Sequence, residues 1–204
     1  MNARQKMINL MYLVFIAMLA LNMSKEVLSA FGYTNEKLEA NNSFTSNNLN
    51  NLYSSLKTKA ISGSEVDKYR PLYDKAELVR QSSDSLYAFV ESLKDSMLST
   101  ISDENLNSEK KYEYMDSPEW LNQKFFKNGK ISDAGNTFLS KLTNYRDNLI
   151  KITADSSDSW TTDKFKVTVA EKFETNDVKR KGKAPQNWLN ARYEGMPMVS
   201  SLTN

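Results

Sequence analysis

The clearest pattern in the chain is an uncharged hydrophobic run over residues 7–24, in which fifteen of the eighteen residues are apolar. An α-helix of this length spans roughly 27 Å, which is about the thickness of the hydrocarbon core of a bilayer. Arg4 and Lys6 precede the run, and charged residues resume at Lys25. The pattern predicts a helix that suits lipid better than water.

Three interpretations of this run compete. A buried core helix is the first, but helices in soluble cores are rarely apolar on every side over five turns. A cleaved signal peptide is the second, but the A-x-A cleavage pattern is missing because Ala17 and Ala20 are three residues apart. We favour the third, an uncleaved signal anchor. The basic end at Arg4 and Lys6 then stays in the cytoplasm, and the chain lies outside from about Lys25 onward.

Polar and aromatic residues fall on one face of this predicted helix, which we call the stripe. At 100° per residue its members lie within about 80° of one another. The stripe comprises Arg4, Ile8, Tyr12, Phe15, Leu19 and Asn22. A helix alone in lipid leaves Tyr12 and Asn22 without polar partners, so the stripe indicates contact with other transmembrane helices, one of them carrying a carboxylate that meets Arg4. The alternative is that Arg4 only extends to the headgroups while Tyr12 packs.

A second pattern, the seam, has apolar or small residues spaced 4, 3, 4, 3, 4, 3, 4 along the chain. This spacing is typical of the a and d positions of a heptad repeat, and it predicts a long helix. The seam comprises Leu72, Ala76, Val79, Ser83, Leu86, Val90, Leu93 and Met97. A dimer seam and the core of a helical bundle both fit. We favour the bundle core, because Ala76 and Ser83 suit close packing and further apolar residues widen the face.

Capping residues predict where the first helices begin and end. Gly32 is a candidate C-cap of the first helix, and residues 35–61 are expected to form the next one. Ser64 is a candidate capping-box residue. Pro71 is expected at the first position of the seam helix, which is predicted to run to about Ser102.

Shorter elements are expected in the rest of the chain. Ser117 and Pro118 begin a short helix that ends near Phe126, and the Asn128-Gly129 pair predicts a tight turn. A helix is predicted from about residue 132 to residue 152, and residues 187–193 are expected to form a short amphipathic turn or helix. Residues 154–163 are expected to form a loop, and residues 164–173 to be extended or a short helix.

The composition excludes many chemistries. The chain has 204 residues, no Cys and no His, and these absences rule out disulfides, thiolate zinc sites, Cys nucleophiles and His-based triads. The 27 basic and 25 acidic residues nearly cancel, which argues against nucleic-acid binding. No motif for a metal or cofactor is present, so we expect neither, and we expect the protein not to be an enzyme.

The first thirty residues resemble the start of GldM/PorM proteins, the inner-membrane motor subunits of type IX secretion and gliding motility. The resemblance rests on residues 4–28, which read RQKMINLMYLVFIAMLALNMSKEVL. It implies a mainly α fold, with a single N-terminal transmembrane helix followed by a periplasmic helical bundle. The expected organisation is a cytoplasmic segment 1–6, a transmembrane helix 7–31 that extends into the periplasm, and a periplasmic domain 32–204 that stops before further domains.

The resemblance also implies a function. GldM-like chains form homodimers inside a ring of GldL-like two-span subunits, and the complex uses the proton-motive force to move its periplasmic part and drive type IX protein secretion and gliding. In such proteins the residue at the position of Arg4 is associated with an intramembrane Glu of the GldL-like partner, and other partners belong to the periplasmic and outer-membrane machinery. The alternative is the helical sensor domain of a membrane receptor.

Overall fold

The computed structural model describes residues 3–154, 163–182 and 184–203. Within its helices, the side chains of residues 3, 19–23, 154 and 163 lie outside this description. The described chain is mainly helical, as the sequence predicts. The expected loop falls largely on residues 155–162, outside the described residues. No helix in the described residues is both long enough and apolar enough to qualify as a membrane span.

The first helix, α1, runs without a break over Ala3–Ile61. Its 59 residues correspond to a length of roughly 90 Å at 1.5 Å per residue. The prediction that Gly32 ends a first helix is wrong, because α1 continues through it and includes the predicted helix 35–61. Gly32 is buried inside α1, where a Cβ would overlap the ring of Tyr112. The missing side chain therefore makes room for a neighbouring ring rather than ending the helix.

The second helix, α2, spans Val66–Leu98 and folds back along the second half of α1. Its N-cap is Glu65, without a side-chain capping bond, so the expected capping box at Ser64 does not form. Pro71 lies inside α2 rather than at its first position, because the helix starts five residues earlier than expected. Gly63, with φ of 121°, provides the left-handed turn between the two helices.

Short elements connect α2 to the next long helix. They are α3 (Asp103–Leu106), a 3₁₀ helix (Lys111–Met115), α4 (Glu119–Phe125), β1 (Phe126–Lys127) and β2 (Lys130–Ile131). The antiparallel pair β1–β2 closes over Asn128 and Gly129, which have φ of 52° and 72°. Positive φ at both turn positions is what an Asn-Gly pair favours, so this predicted turn is confirmed.

The last long helix, α5 (Asp133–Ala154), packs antiparallel to α2. The direction follows from two contacts, since Ser83 meets Tyr145 while Phe89 meets Phe138. Three shorter helices follow: α6 (Asp163–Lys172), α7 (Trp188–Tyr193) and α8 (Met198–Ser201). Residues 164–173 therefore take the helical of the two expected conformations, and residues 187–193, expected as a turn or a helix, also form a helix.

The hydrophobic core lies around the C-terminal half of α2 and the N-terminal half of α5. Its buried members come from α1, α2, the 3₁₀ helix, α4, α5, α7 and α8. They are Leu28, Met97, Tyr112, Met115, Leu121, Phe125, Phe138, Leu189, Tyr193, Met198 and Val199. The Phe125 ring is central, with its centroid 5.3 to 6.3 Å from those of Trp120, Phe138 and Tyr193. Leu28 brings α1 into this core only four residues after the hydrophobic run ends.

The seam contributes unevenly to this core. Met97 is buried and Leu93 packs against the core, whereas Val90 is 38% exposed. Leu72, Ala76, Val79, Ser83 and Leu86 are half-buried. Among the described residues, α2 packs mainly against α1 and α5. The core lies around the C-terminal half of α2, so the first half of the seam is less deeply buried.

Candidate functional site at the junction of the long helix and the core

The first part of α1 exposes its apolar side chains. Every side chain described from residue 4 to residue 18 is exposed, with values between 39% at Ile8 and 71% at Met11 for the large hydrophobic ones. Exposed apolar surface on this scale is costly in water and indicates a partner or a membrane. The described residues of the chain itself do not cover it.

The stripe lies on this exposed part of α1. Arg4, Ile8, Tyr12 and Phe15 are all exposed, and no other element of the described chain packs on them. The side chains of Leu19 and Asn22 lie outside the described residues. The role of the stripe as a partner-facing surface stays a prediction.

Just beyond the run, α1 becomes fixed to the rest of the protein. The Lys25 ammonium forms an ion pair with Glu113 of the 3₁₀ helix at 2.8 Å. The pKa of Glu113 is lowered, mainly by the hydrogen bond from Lys25. Three residues later Leu28 is 7% exposed in the core. One turn separates the exposed part of α1 from the part whose inner face is buried at Leu28, Gly32 and Asn35.

Tyr112 of the 3₁₀ helix packs directly against α1. Its ring fits against the bare backbone at Gly32, and Tyr33 meets it edge-on with 5.9 Å between ring centroids. The Tyr112 hydroxyl donates a hydrogen bond of 2.5 Å to Glu36, which also pairs with Lys111 at 2.9 Å. Tyr112 and then Lys111 lower the pKa of Glu36, and burial, with the Glu36 hydrogen bond, raises the pKa of Tyr112.

A turn further on, Glu39 ties α1 to α2. It accepts hydrogen bonds from Lys94 at 2.5 Å and from the buried Asn35 at 3.1 Å. Lys94 lowers the pKa of Glu39. Burial lowers the pKa of Lys94, but the hydrogen bond to Glu39 and the nearby negative charges of Glu39 and Glu91 together outweigh burial, so the pKa is raised overall. We call these contacts, from Lys25 to Glu39 of α1, the clamp.

A separate polar cluster fastens the far end of the α1–α2 hairpin. The Tyr53 hydroxyl donates a hydrogen bond to Glu77 and lies 3.0 Å from the Tyr73 hydroxyl. Arg80 lies over the Tyr53 ring at 4.8 Å. The carboxylate of Glu77 raises the pKa of Tyr53, and the Tyr53 hydroxyl lowers that of Glu77. The second half of α1 is therefore held at both ends.

The contacts of the clamp fix α1 mechanically to the rest of the domain. The clamp covers 14 residue steps of α1, about 21 Å of helix, and it combines a steric fit, ion pairs and core burial. A rotation or tilt of the exposed end of α1 would have to carry the core with it, because the helix has no break between the two parts.

Sequence reasoning did not identify the clamp. Its key residues, Gly32, Glu36 and Tyr112, are 76 to 80 positions apart in sequence across the contact, and no local pattern links them. One signal was available: a glycine within an otherwise helical pattern indicates either a C-cap or a close approach. Only the contact with Tyr112 decides between the two.

Comparison with known proteins identifies the family. A family model described as the GldM N-terminal domain matches residues 26–204. No curated protein matches the chain. The family match begins at residue 26, so it is independent of the hydrophobic run on which the sequence resemblance chiefly rests. Since it covers most of the chain, the protein belongs to the GldM family, which is associated with gliding motility, type IX secretion and GldL.

Proposed function

We propose that this chain is the membrane-anchored stalk of a motor driven by the proton-motive force, which transmits energy from the inner membrane to type IX secretion and gliding. The observation that carries the proposal is the continuity of α1, from an exposed apolar end through to the clamp. Residues 7–24 would lie in the bilayer, with Arg4 on the cytoplasmic side and the domain in the periplasm.

Lipid and partner helices would remove the cost of the exposed apolar end. Burying apolar surface contributes about 25 cal/mol per Å², and membrane-spanning segments must satisfy their polar groups internally or through partners. If two copies of α1 lie inside a ring of GldL-like two-span subunits, the ring would cover the exposed apolar residues of α1 and provide partners for the stripe. The proposed unit is therefore a homodimer.

Arg4 supplies the coupling in this proposal. Arginine stays charged at physiological pH, whereas a carboxylate of a partner helix in a low dielectric has a raised pKa and can carry a proton. The approach of Arg4 favours the ionised carboxylate, and its departure favours the protonated one. Proton flow would thus step the two Arg4 side chains from one partner subunit to the next. A membrane potential supplies about 2.3 kcal/mol per charge per 100 mV.

Motion of α1 in the membrane would pass to the periplasmic domain through the helix itself. The clamp prevents α1 from turning inside the domain, because the Tyr112 ring packs on the bare backbone at Gly32. Lys25, Glu36 and Glu39 of α1 are also paired with other elements. The domain would follow the helix as one body.

The test is substitution of Arg4 in cells that glide and secrete. Arg4→Ala should abolish both outputs at normal protein abundance, and Arg4→Lys should restore them only in part, because a lysine ammonium is more strongly hydrated. Lys6→Ala is the matched control, with the same loss of charge two residues away, and it should retain both outputs. Wild-type gliding and secretion in Arg4→Ala cells would refute the coupling.

A further inference from the structure

A long open groove runs between α2 and α5 on the surface of the domain, with a volume of about 990 Å³. Its two walls are helix faces, since the lining residues recur every three or four positions on both helices. The pair of hydroxyls Ser83 and Tyr145, 2.9 Å apart, joins the two walls. On α5 the lining extends from Asn136 to Ile152, which corresponds to about 24 Å of helix.

The charged side chains among the described residues that line the groove are all basic. Lys75, Lys141 and Lys151 line it, and no Asp or Glu is among the described residues that do so. This is notable in a chain whose 27 basic and 25 acidic residues are almost balanced. The remaining lining is mostly amide and hydroxyl groups, with a narrow apolar strip that includes Leu78, which is 52% exposed, and the half-buried Leu86.

Lys151 lies near one end of the groove, and Lys141 lies in its other half. The antiparallel contacts of Ser83 with Tyr145 and of Phe89 with Phe138 place Lys75 and Lys151 at one end. Lys141 lies toward the other end, ten residues before Lys151, about 15 Å along the helix axis. Its ammonium is 5.8 Å from the centre of the Phe89 ring.

We propose that this groove docks an amphipathic acidic helix of a partner protein, which lies between α2 and α5 as a third helix. The partner helix would be about 16 residues long, to match the groove, with carboxylates near both ends and a narrow apolar stripe between them. A helix satisfies its own backbone hydrogen bonds, whereas an extended peptide needs a sheet edge. The only strands described in the chain have two residues each and lie outside the groove.

This proposal does not rest on membrane anchoring or on Arg4. The groove belongs to the periplasmic side of the proposed stalk. The docking proposal can therefore fail while the motor proposal stands, and the motor proposal can fail while the docking proposal stands. A second copy of this chain and an anionic glycan are the competing occupants. Each gives a different result in the experiment below.

The occupant is identified by cross-linking in the native cells. A photoreactive residue is placed at Ser82 or Ser85 of the full chain, which are lining positions, and at Lys127 in β1 as a control outside the groove. Mass spectrometry of the adducts should find an acidic, helix-forming segment of another protein at Ser82 and Ser85 but not at Lys127. Adducts only with this chain itself, only with glycan, or none at all would overturn the proposal.

Binding strength is measured with the purified full chain in detergent and a labelled 16-residue amphipathic peptide carrying Glu at both ends. Lys141→Glu with Lys151→Glu should weaken binding about tenfold or more, and added salt should weaken the wild-type complex, because reversed and screened charges no longer attract the peptide. The matched control, Lys127→Glu with Lys130→Glu in the β-hairpin, changes the net charge equally and should leave binding unchanged. Equal losses in both pairs of variants would show only general attraction and would contradict a specific groove.

Discussion

Gly32→Ala is expected to destabilise the protein, which is the reverse of the usual effect of this substitution in a helix. Alanine is favoured over glycine inside a helix by about 1 kcal/mol. At position 32 the added Cβ would overlap the Tyr112 ring. That ring is buried and its hydroxyl is bound to Glu36, so it cannot move away easily.

The size of the effect follows from these two opposed contributions. Overpacking a tight site costs typically about 1–3 kcal/mol, and contact with several ring atoms places this site toward the upper end. Subtracting the gain in helix propensity leaves a net loss of about 1–2 kcal/mol. For a chain of this size, that loss lowers the melting temperature by about 2–8 °C.

The assay is thermal unfolding of the full chain in detergent, followed by tryptophan fluorescence. Trp120 and Trp188 pack against the core and therefore report on the clamped domain. Ser46→Ala, at an exposed site of α1, is the control and should be neutral or slightly stabilising.

A double-mutant cycle makes this prediction sharper. When Tyr112→Ala has removed the ring, Gly32→Ala should become stabilising by about 1 kcal/mol, because only the propensity gain remains. The change of sign between the two backgrounds shows that the Tyr112 ring and a Cβ at position 32 compete for the same space. Stabilisation by Gly32→Ala in the otherwise unmodified protein would refute the reasoning.

Further predictions concern the core, the acid side of the pH range and the turn. Leu189→Ala should cost about 2–5 kcal/mol in urea unfolding, because Leu189 is fully buried, whereas the half-buried Leu86→Ala should cost clearly less; equal losses would place both in the core. The lowered pKa of Glu36 means that its ionised form stabilises the fold above the usual value of 4.5, and this contribution is lost as the pH falls through the folded-state pKa. The melting temperature of the Glu36→Gln variant should therefore fall less between about pH 5 and pH 3 than that of the unmodified protein. An equal fall in melting temperature in both proteins would contradict this prediction. Gly129→Ala should cost about 1 kcal/mol because φ is 72° there, and no change in the melting temperature would count against this strain.

Local signals in the sequence predicted the elements that local chemistry determines. The Asn128-Gly129 turn and the start of α5 at Asp133 are examples, because each depends on residues close in sequence. The helix over 35–61 was also predictable, but its continuity with the first helix was not. Gly32 and Pro71 both resemble helix boundaries, yet a tertiary contact at Gly32 and an earlier helix start before Pro71 override that tendency.

The candidate site likewise has one part that the sequence predicts and one part that it does not. The exposed apolar end of α1 was apparent from the sequence as an uncharged run, because it depends on hydropathy alone. The clamp was not, because Lys25–Glu113 and Glu36–Lys111 join residues that are 88 and 75 positions apart. The seam predicted a helix but not which half of it is buried, since Leu86 lines the open groove while Met97 lies in the core.

The most direct test of the central claim is an insertion into α1 between Ser24 and Lys25, with gliding and secretion measured in the same cells. A helical insertion of seven residues closes nearly two full turns and keeps the apolar run and the clamp in phase. A Gly/Ser insertion of the same length leaves both parts intact but breaks the rigid connection. If α1 transmits motion as a stiff rod, the helical insertion retains output and the Gly/Ser insertion abolishes it at equal abundance. Full gliding and secretion with the Gly/Ser insertion would contradict that account.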